Sequence, residues 1–191
     1  MGVDTSRIVL NSELDADQEH LEHGEYYAAA SYSVLYRLCR QVDFDRFGRS
    51  FIDFGCGRGR AMAVAGQLGF RPLIGVEYSL SLCESARRNL ARLNLSEETI
   101  IEVLHLDARE YQVPSDAQVF YFFNPFDAVI MRGVIDNILD SVDGAPRDVC
   151  VIYVNSVCLD SFLDAGFEIA YSEDVAGEPS HILVLEAKNR G

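Results

Sequence analysis

Seven apolar runs of strand length recur along the chain, and stretches with helical spacing lie between most of them. The runs are residues 51–54, 73–77, 100–106, 119–123, 148–154, 167–171 and 181–187. Alternating strands and helices are typical of a parallel sheet whose crossover helices cover both faces. Only about nine residues separate the last two runs, too few for a crossover helix, so we expect that pair to be antiparallel. The pattern therefore predicts an α/β fold with a seven-stranded, mostly parallel sheet and one antiparallel strand.

Polar capping residues mark the expected starts of the helices. Ser31 precedes the first amphipathic stripe, and Asp127 precedes the longest one. Ser81 and Glu84 have the spacing of a capping box, which predicts a helix start between the second and third strands.

The composition is that of one globular domain. The 191 residues are 49% hydrophobic and 24% charged. Residues 1–25 are polar and acidic without apolar periodicity, so we expect an N-terminal arm there and the domain over residues 26–191. No apolar stretch is long enough to cross a bilayer, and the first residues lack the features of a signal peptide, which predicts a cytoplasmic protein without a membrane partner.

Charge and cysteine usage narrow the classes of function. The net charge is −14, and no cluster of basic residues could follow a phosphate backbone, so we do not expect nucleic acid as a partner. The five cysteines are odd in number and include no C-x-x-C pair. We therefore expect neither a disulfide framework nor a metal site.

A glycine-rich turn follows the first strand. Gly55, Gly57 and Gly59 stand at alternate positions, and Asp53 lies two residues before the first of them. The dinucleotide fingerprint G-x-G-x-x-G does not fit, because Arg60 stands where the third glycine is required. The carboxylate of Asp53 would repel a pyrophosphate and attract a cation. S-adenosylmethionine has an ammonium and a sulfonium, so the turn favours this cofactor.

Polar residues also follow the next three strands. Glu77 ends the second strand, at the distance along the chain where a carboxylate binds ribose hydroxyls in nucleoside-binding α/β folds. Asp107 follows the third strand and Asn124 follows the fourth. Because open α/β sheets bind ligands at the carboxyl ends of their strands, we expect these side chains to line one site with Asp53.

Residues 27–186 resemble a class I methyltransferase that uses S-adenosyl-L-methionine. The resemblance rests on the segment 53–59 as the glycine motif, Glu77 as the ribose acid, and Asp107-Ala108 as the adenine contact. It implies a Rossmann-like class I methyltransferase fold with helices on both faces of the sheet. The cofactor-binding residues that we predict are Tyr27, Asp53, Phe54, Gly55, Cys56, Gly57, Gly59, Glu77, Tyr78, Asp107, Ala108 and Asn124.

Two further stretches are similar to bacterial relatives of the Dot1-like and FAM173-like protein lysine methyltransferases. They are residues 27–32 and residues 123–126, although the second has one proline where the amino-methyltransferase pattern D/N-P-P-Y/F/W has two. The similarity implies methyl transfer to an amine nitrogen of a protein lysine or of a small molecule. Such an amine could donate N–H groups to the side chain of Asn124 and to main-chain carbonyls near Pro125, with Phe126 as a wall. These three residues are the predicted catalytic residues.

Two other functions remain open from the sequence. An NAD-type oxidoreductase is disfavoured by Arg60 and Asp53, as described above. In a non-catalytic module that binds S-adenosylmethionine, residues 124–126 would form only a turn, since Asn and Pro are usual turn residues. Tyr27 and Tyr32 fit equally well as packing residues or as neighbours of the cofactor.

Overall fold

Strands and helices alternate through the residues that the computed structural model describes, which are 30–175 and 177–187. The strands are β1 (Phe51–Phe54), β2 (Leu73–Glu77), β3 (Ile101–His105), β4 (Val119–Phe123), β5 (Val149–Val154), β6 (Glu168–Val175) and β7 (Glu178–Leu185). The α-helices are α1 (Tyr32–Cys39), α2 (Phe44–Phe47), α3 (Arg60–Gln67), α4 (Leu80–Leu90), α5 (Ala128–Gly144) and α6 (Leu159–Asp164). A short 3-10 helix, Ala108–Glu110, follows β3.

The seven strands of the described chain form one sheet in the order β3-β2-β1-β4-β5-β7-β6. Strands β1 to β5 pair parallel, whereas β7 pairs antiparallel with both β5 and β6. The predicted α/β fold with one antiparallel strand is therefore confirmed. The carboxyl ends of β1 to β5 lie along one edge of the sheet, and β7 begins at that edge because it runs in the opposite direction.

Helices cover both faces of the sheet, as predicted. On one face, Phe51 of β1 packs in a cluster with residues of α1, α3 and α4. On the other face, Ile52 packs with residues of α5 and α6. Successive residues of β1 alternate between two cores, which explains why its sequence is apolar throughout apart from Asp53.

The capping predictions are confirmed at two helices and wrong at a third. The side chain of Ser31 accepts a hydrogen bond from Val34 N at 3.3 Å, and that of Asp127 caps α5. Helix α4 begins two residues earlier than the capping box predicts, because Ser79 rather than Ser81 is its N-cap, accepting from Leu82 N at 3.4 Å. Ser79 has leucine three residues later and therefore lacks the capping-box pattern, which is why the sequence pattern selected Ser81.

The connection between the last two strands is also shorter than predicted. Strands β6 and β7 extend to a tight turn, where Val175 pairs with Glu178. The nine residues that we expected between them mostly belong to the strands. A register shift between Ile169 and Tyr171 interrupts the pairing as a bulge. The predicted N-terminal arm, residues 1–25, lies outside the described residues, as does the predicted start of the domain at residue 26.

Candidate active site

The glycine loop between β1 and α3 is held on the end of β2. Gly55, Gly57 and Gly59 all have positive φ, at 75°, 53° and 80°. A residue with a Cβ would lose about 1–2 kcal/mol in this conformation, so glycine is required at the turn. The backbone N–H groups of Gly55 and Cys56 donate to the carbonyl of Val76 at 2.8 and 3.2 Å. The loop therefore has a fixed position relative to Glu77, the next residue of β2.

Glu77 binds the backbone on both sides of the site. Its Oε2 accepts from Gly57 N at 2.8 Å, and its Oε1 accepts from Ser79 N at 2.9 Å. Each of the two carboxylate oxygens therefore accepts a backbone N–H group. The residue predicted to bind ribose thus also fixes the glycine loop, a role that the sequence did not indicate.

Asp53 is a buried carboxylate without a partner among the described residues. It is 2% exposed and pairs in register with Gly75 of β2 and Tyr121 of β4. Its side chain forms no hydrogen bond or ion pair within residues 30–175 and 177–187. Burial, and then the charge of Glu77, raise the pKa of Asp53 well above its usual range. A bound ammonium would compensate this charge, so the position fits the cation that the sequence suggested.

Cys56 fills the space that Gly75 leaves in β2. A Cβ added to Gly75 would lie 2.7 Å from the Sγ atom of Cys56. Burial, and then the charge of Asp53, raise the pKa of this thiol well above its usual range. Cys56 therefore contributes packing of the loop, and its thiol stays protonated.

Asp107 and Ala108 follow β3 at the same edge. Asp107 caps the 3-10 helix by accepting from Arg109 N at 2.8 Å, and its Oδ2 accepts from the Arg109 guanidinium at 2.7 Å. The backbone carbonyl of Arg109 accepts in turn from the side chain of Asn137 on α5 at 2.7 Å. A nucleobase that reached Asp107 would share its carboxylate with Arg109. Sequence reasoning missed this ion pair, since only the fold shows how Arg109 turns back.

The segment 124–126 lies directly against the glycine loop. Asn124 has φ 37°, and a Cβ added to Gly55 would lie only 2.5 Å from the Cβ of Pro125. The predicted cofactor loop and the predicted acceptor loop are therefore in contact. Phe126 is half-buried and packs against the core under α5 and α6.

Phe54 and Tyr78 are two further predicted residues next to this edge. Phe54 belongs to the core, where its ring stacks on Phe122 with centroids 5.2 Å apart, so only its backbone faces the loop. Tyr78 lies beside His105 in an edge-to-face contact with centroids 6.3 Å apart. Tyr27 lies outside the described residues.

Arg60 connects the start of α1 to the helix that follows the glycine loop. Its guanidinium donates to the carbonyl of Ala30 at 2.9 Å and lies 4.9 Å from the ring centroid of Tyr32. Tyr32 is 39% exposed, so it lies at the surface next to α3. The residue that broke the dinucleotide fingerprint thus connects two elements.

Asn155 is a residue at this edge that sequence reasoning missed. It follows β5 and has φ 49°, and it is half-buried. The signal was present, because Asn155 stands after the fifth apolar run as Asn124 stands after the fourth.

Among the described residues, no group of three or more His, Cys, Asp or Glu side chains could hold a metal ion. Nor does any helix of the described segments have the length and apolar character to cross a membrane.

Comparison with known families identifies the kind of domain. A family model described as a methyltransferase domain matches residues 52–150. The matched segment contains the glycine loop, Glu77, Asp107 and Asn124. No curated protein matches the chain.

Solved structures with the same fold include several methyltransferases. An RNA methyltransferase from Salinibacter ruber, in complex with S-adenosyl-L-homocysteine, is 15% identical with a TM-score of 0.61, and the match covers 84% of this chain and 95% of that chain. The ribosomal protein L11 methylase from Lactobacillus delbrueckii subsp. bulgaricus is 12% identical with a TM-score of 0.61, covering 82% and 79%. The magnesium protoporphyrin IX methyltransferase from Synechocystis, with bound S-adenosylmethionine, is 18% identical with a TM-score of 0.54, covering 80% and 75%. These likenesses show a shared fold.

Proposed function

The chain belongs to the methyltransferase domain family, and from this premise we propose that it transfers the methyl group of S-adenosylmethionine to an amine nitrogen. It is a methyltransferase with S-adenosylmethionine as its cofactor, which leaves no support for an NAD-type oxidoreductase or for a non-catalytic module. The finer proposal, that the acceptor is the amine of a protein lysine or of a small molecule, rests on the chemistry of the acceptor side of the site.

The described residues fit the cofactor. Asp53 would hold its ammonium, since a buried carboxylate with no partner in the described part of the chain favours a bound cation. Glu77 would accept the ribose hydroxyls, and Asp107 with the backbone of Ala108 would bind the adenine. When bound, S-adenosylmethionine supplies an electrophilic methyl group on a positively charged sulfur. The protein then has to position a nucleophile and exclude water, which is mainly catalysis by positioning.

The main observation behind the acceptor proposal is the conformation and the hydrogen bonding of Asn124. This half-buried residue has a left-handed backbone, its side chain forms no hydrogen bond within the described residues, and its loop contacts the glycine loop through Pro125 and Gly55. Its side-chain carbonyl could accept an N–H of an amine and direct the nitrogen lone pair. Each transfer would form an N–C bond, break an S–C bond and release one proton to water.

Charge at this part of the edge supports an amine over an anionic acceptor. The loops after β4 and β5 and the start of β7 comprise residues 124–129, 155–160 and 177–181. These segments include Asp127, Asp160 and Glu178 but no Lys or Arg. A protonated amine would approach such a surface favourably, whereas a phosphate backbone would be repelled. The similarity of residues 123–126 to the Dot1-like and FAM173-like enzymes points to lysine as one such acceptor.

Transfer of a labelled methyl group tests this function. The protein would be incubated with S-adenosylmethionine labelled on the methyl group and with poly-L-lysine, spermidine or total tRNA. RNA belongs in the panel because the Salinibacter ruber structure is named an RNA methyltransferase. We expect label in an amine acceptor, as an N-methyl group that survives mild base. Label in RNA alone, or in a base-labile ester, would overturn the amine proposal.

Variants at Asn124 connect this transfer to the proposed residue. We expect Asn124→Ala to lower transfer more than tenfold if one orienting hydrogen bond contributes over about 1.4 kcal/mol in the transition state. Asn124→Gly keeps the left-handed backbone accessible and should lose transfer equally. Asn94→Ala, at an exposed position after α4, is the control and should keep full activity. Unchanged transfer in both Asn124 variants would mean that residues 124–126 form only a turn and do not bind the acceptor.

A further inference from the structure

We propose that Asn155 is a second acceptor-binding residue, whose side-chain amide acts beside that of Asn124 to hold the two N–H groups of one primary amine. The proposal rests on the amine methyltransferase function given above and specifies its acceptor site. It begins from the pairing of β4 with β5. These strands run parallel with Phe123 beside Val154, so the next residue of each strand, Asn124 and Asn155, leaves the sheet at the same level. Neighbouring strands lie about 4.8 Å apart, which places the two asparagines side by side.

The two asparagines share a backbone conformation that distinguishes them from the rest of the described chain. Among the non-glycine residues that the structure describes, only Asn124 and Asn155 have positive φ, at 37° and 49°. This conformation is unfavourable for residues with a Cβ and occurs preferentially at functional sites, where the surrounding structure enforces it. Two such residues on adjacent strand ends therefore mark this edge as a candidate site of function.

The residue after Asn155 is firmly bound to β7, which explains how the conformation is held. Ser156 N donates to the carbonyl of Pro179 at 3.0 Å, and Ser156 Oγ donates to the same carbonyl at 3.1 Å. The hydroxyl also lies 2.7 Å from Nδ1 of His181. Ser156 is 5% exposed, so these bonds are shielded from water. These bonds therefore fix the backbone next to Asn155 at the start of the loop.

The side chains of the pair differ in their hydrogen bonding from the two other described asparagines that are buried or half-buried, Asn89 and Asn137. Asn89 donates to the carbonyl of Arg58 at 3.1 Å, and Asn137 donates to that of Arg109 at 2.7 Å. By contrast, the amides of Asn124 and Asn155 are half-buried and form no side-chain hydrogen bond to any residue between 30 and 175 or between 177 and 187. Neither amide is used by the described residues around it, so both are available to a ligand that enters this edge of the sheet.

The chemistry of two adjacent amides selects a kind of acceptor. A neutral primary amine has two N–H donors and one lone pair. If each side-chain carbonyl accepts one N–H, rotation about the C–N bond is restricted and the lone pair has a single direction. A hydroxyl acceptor has only one donor and could therefore donate to only one of the two side-chain carbonyls. The pair therefore fits a primary amine, and a nitrogen that already has one methyl group would bind with one amide unused.

A bisubstrate analogue tests this arrangement without turnover. In this analogue, a tertiary amine replaces the sulfonium of S-adenosylmethionine and has a 2-aminoethyl arm in place of the methyl group. A second analogue has a propyl arm, which lacks the N–H donors. Calorimetry gives the Kd of each, and their ratio is the amine preference. We expect the unmodified protein to prefer the amine arm and Asn155→Gly to lose about tenfold of that preference, as for one hydrogen bond to a charged donor.

The Asn155→Gly variant separates the side chain from the backbone, because glycine adopts positive φ without strain. Its melting temperature and its affinity for S-adenosylhomocysteine should stay close to those of the unmodified protein. Asn155→Asp keeps an acceptor oxygen at this position and should retain the preference. Asn94→Gly, at an exposed site, controls for the effect of glycine itself. If Asn155→Gly keeps the full preference, Asn155 is only a turn residue and this proposal is wrong. If the unmodified protein shows no preference, the amine acceptor itself is wrong.

Discussion

Glu77 holds the glycine loop to the end of β2 through two hydrogen bonds to the backbone. Its two carboxylate oxygens accept the N–H groups of Gly57 and Ser79 at 2.8 and 2.9 Å. Glu77→Ala leaves both donors without this acceptor, at a cost of about 1–3 kcal/mol each. Loss of the charge also relieves the repulsion of Asp53, so the net cost lies below the sum. We expect a loss of about 2–4 kcal/mol, or a fall in melting temperature of about 4–16 °C for the ligand-free protein.

Glu77→Gln is not conservative at this position. A glutamine amide has one carbonyl oxygen and one NH₂ group, so the NH₂ would face one of the two backbone donors. We expect a fall in melting temperature of about half that of the alanine variant, since one bond is lost rather than two. Both variants should lose more than about tenfold in affinity for S-adenosylhomocysteine, because the ribose hydroxyls lose a charged acceptor.

Two measurements check these effects separately. Differential scanning fluorimetry without ligand gives the melting temperature, which depends on the hydrogen bonds from the loop to Glu77. Isothermal calorimetry gives the affinity for S-adenosylhomocysteine, which depends on the contact of Glu77 with ribose. Glu84→Gln is the matched control, since Glu84 lies on the outer side of α4 with its side chain 56% exposed and should shift neither value. Unchanged melting of both Glu77 variants would refute the structural role. Unchanged affinity would refute the ribose role.

Three further predictions concern the same edge of the sheet. Asp53→Asn should melt higher than the unmodified protein, and the difference in melting temperature should grow as pH rises from the ordinary carboxyl pKa towards the raised pKa of Asp53, because over this range the unfolded aspartate loses its proton while the buried one keeps it. The affinity of this variant for S-adenosylhomocysteine should fall. A pH-independent difference in melting temperature would contradict the cause. Gly55→Ala places a Cβ 2.5 Å from that of Pro125 and forces alanine to adopt φ 75°, so the free energy of unfolding in urea should fall by about 2–5 kcal/mol. Gly144→Ala is the control and should not destabilise the protein, because no atom lies within 4 Å of the added Cβ. S-adenosylhomocysteine at a hundredfold excess over its Kd should raise the melting temperature by about 5–11 °C, and NADH should not.

The strand ends were predictable because each apolar run stops at a polar residue. Asp53, Glu77, Asp107 and Asn124 all lie where the sequence pattern placed them, at the carboxyl ends of β1 to β4. Continuous apolar runs are forced by burial on both faces, and a parallel sheet brings the ends together whatever the details of packing. The position of the candidate site therefore follows from periodicity and topology.

The contacts within the site could not be predicted in the same way. The bond from Gly57 to Glu77 and the ion pair of Arg109 with Asp107 depend on side-chain directions that a sequence does not record. The left-handed conformation of Asn155 is likewise a property of the folded loop, although the identity of the residue permits it. Strands β6 and β7 were predicted too short, because the apolar and polar residues of exposed strands alternate only weakly and their sequence resembles that of a loop.

The edge of the sheet at β6 has a consequence for handling the protein. This strand is eight residues long, and its outer backbone groups pair with no other described strand. Ile169 and Tyr171 are exposed there, at 44% and 37%, so the edge offers a template on which a second copy could add a strand. The bulge between them opposes such pairing. Addition of a second copy at this edge would start a β-sheet aggregate, so aggregation of the protein should increase with its concentration.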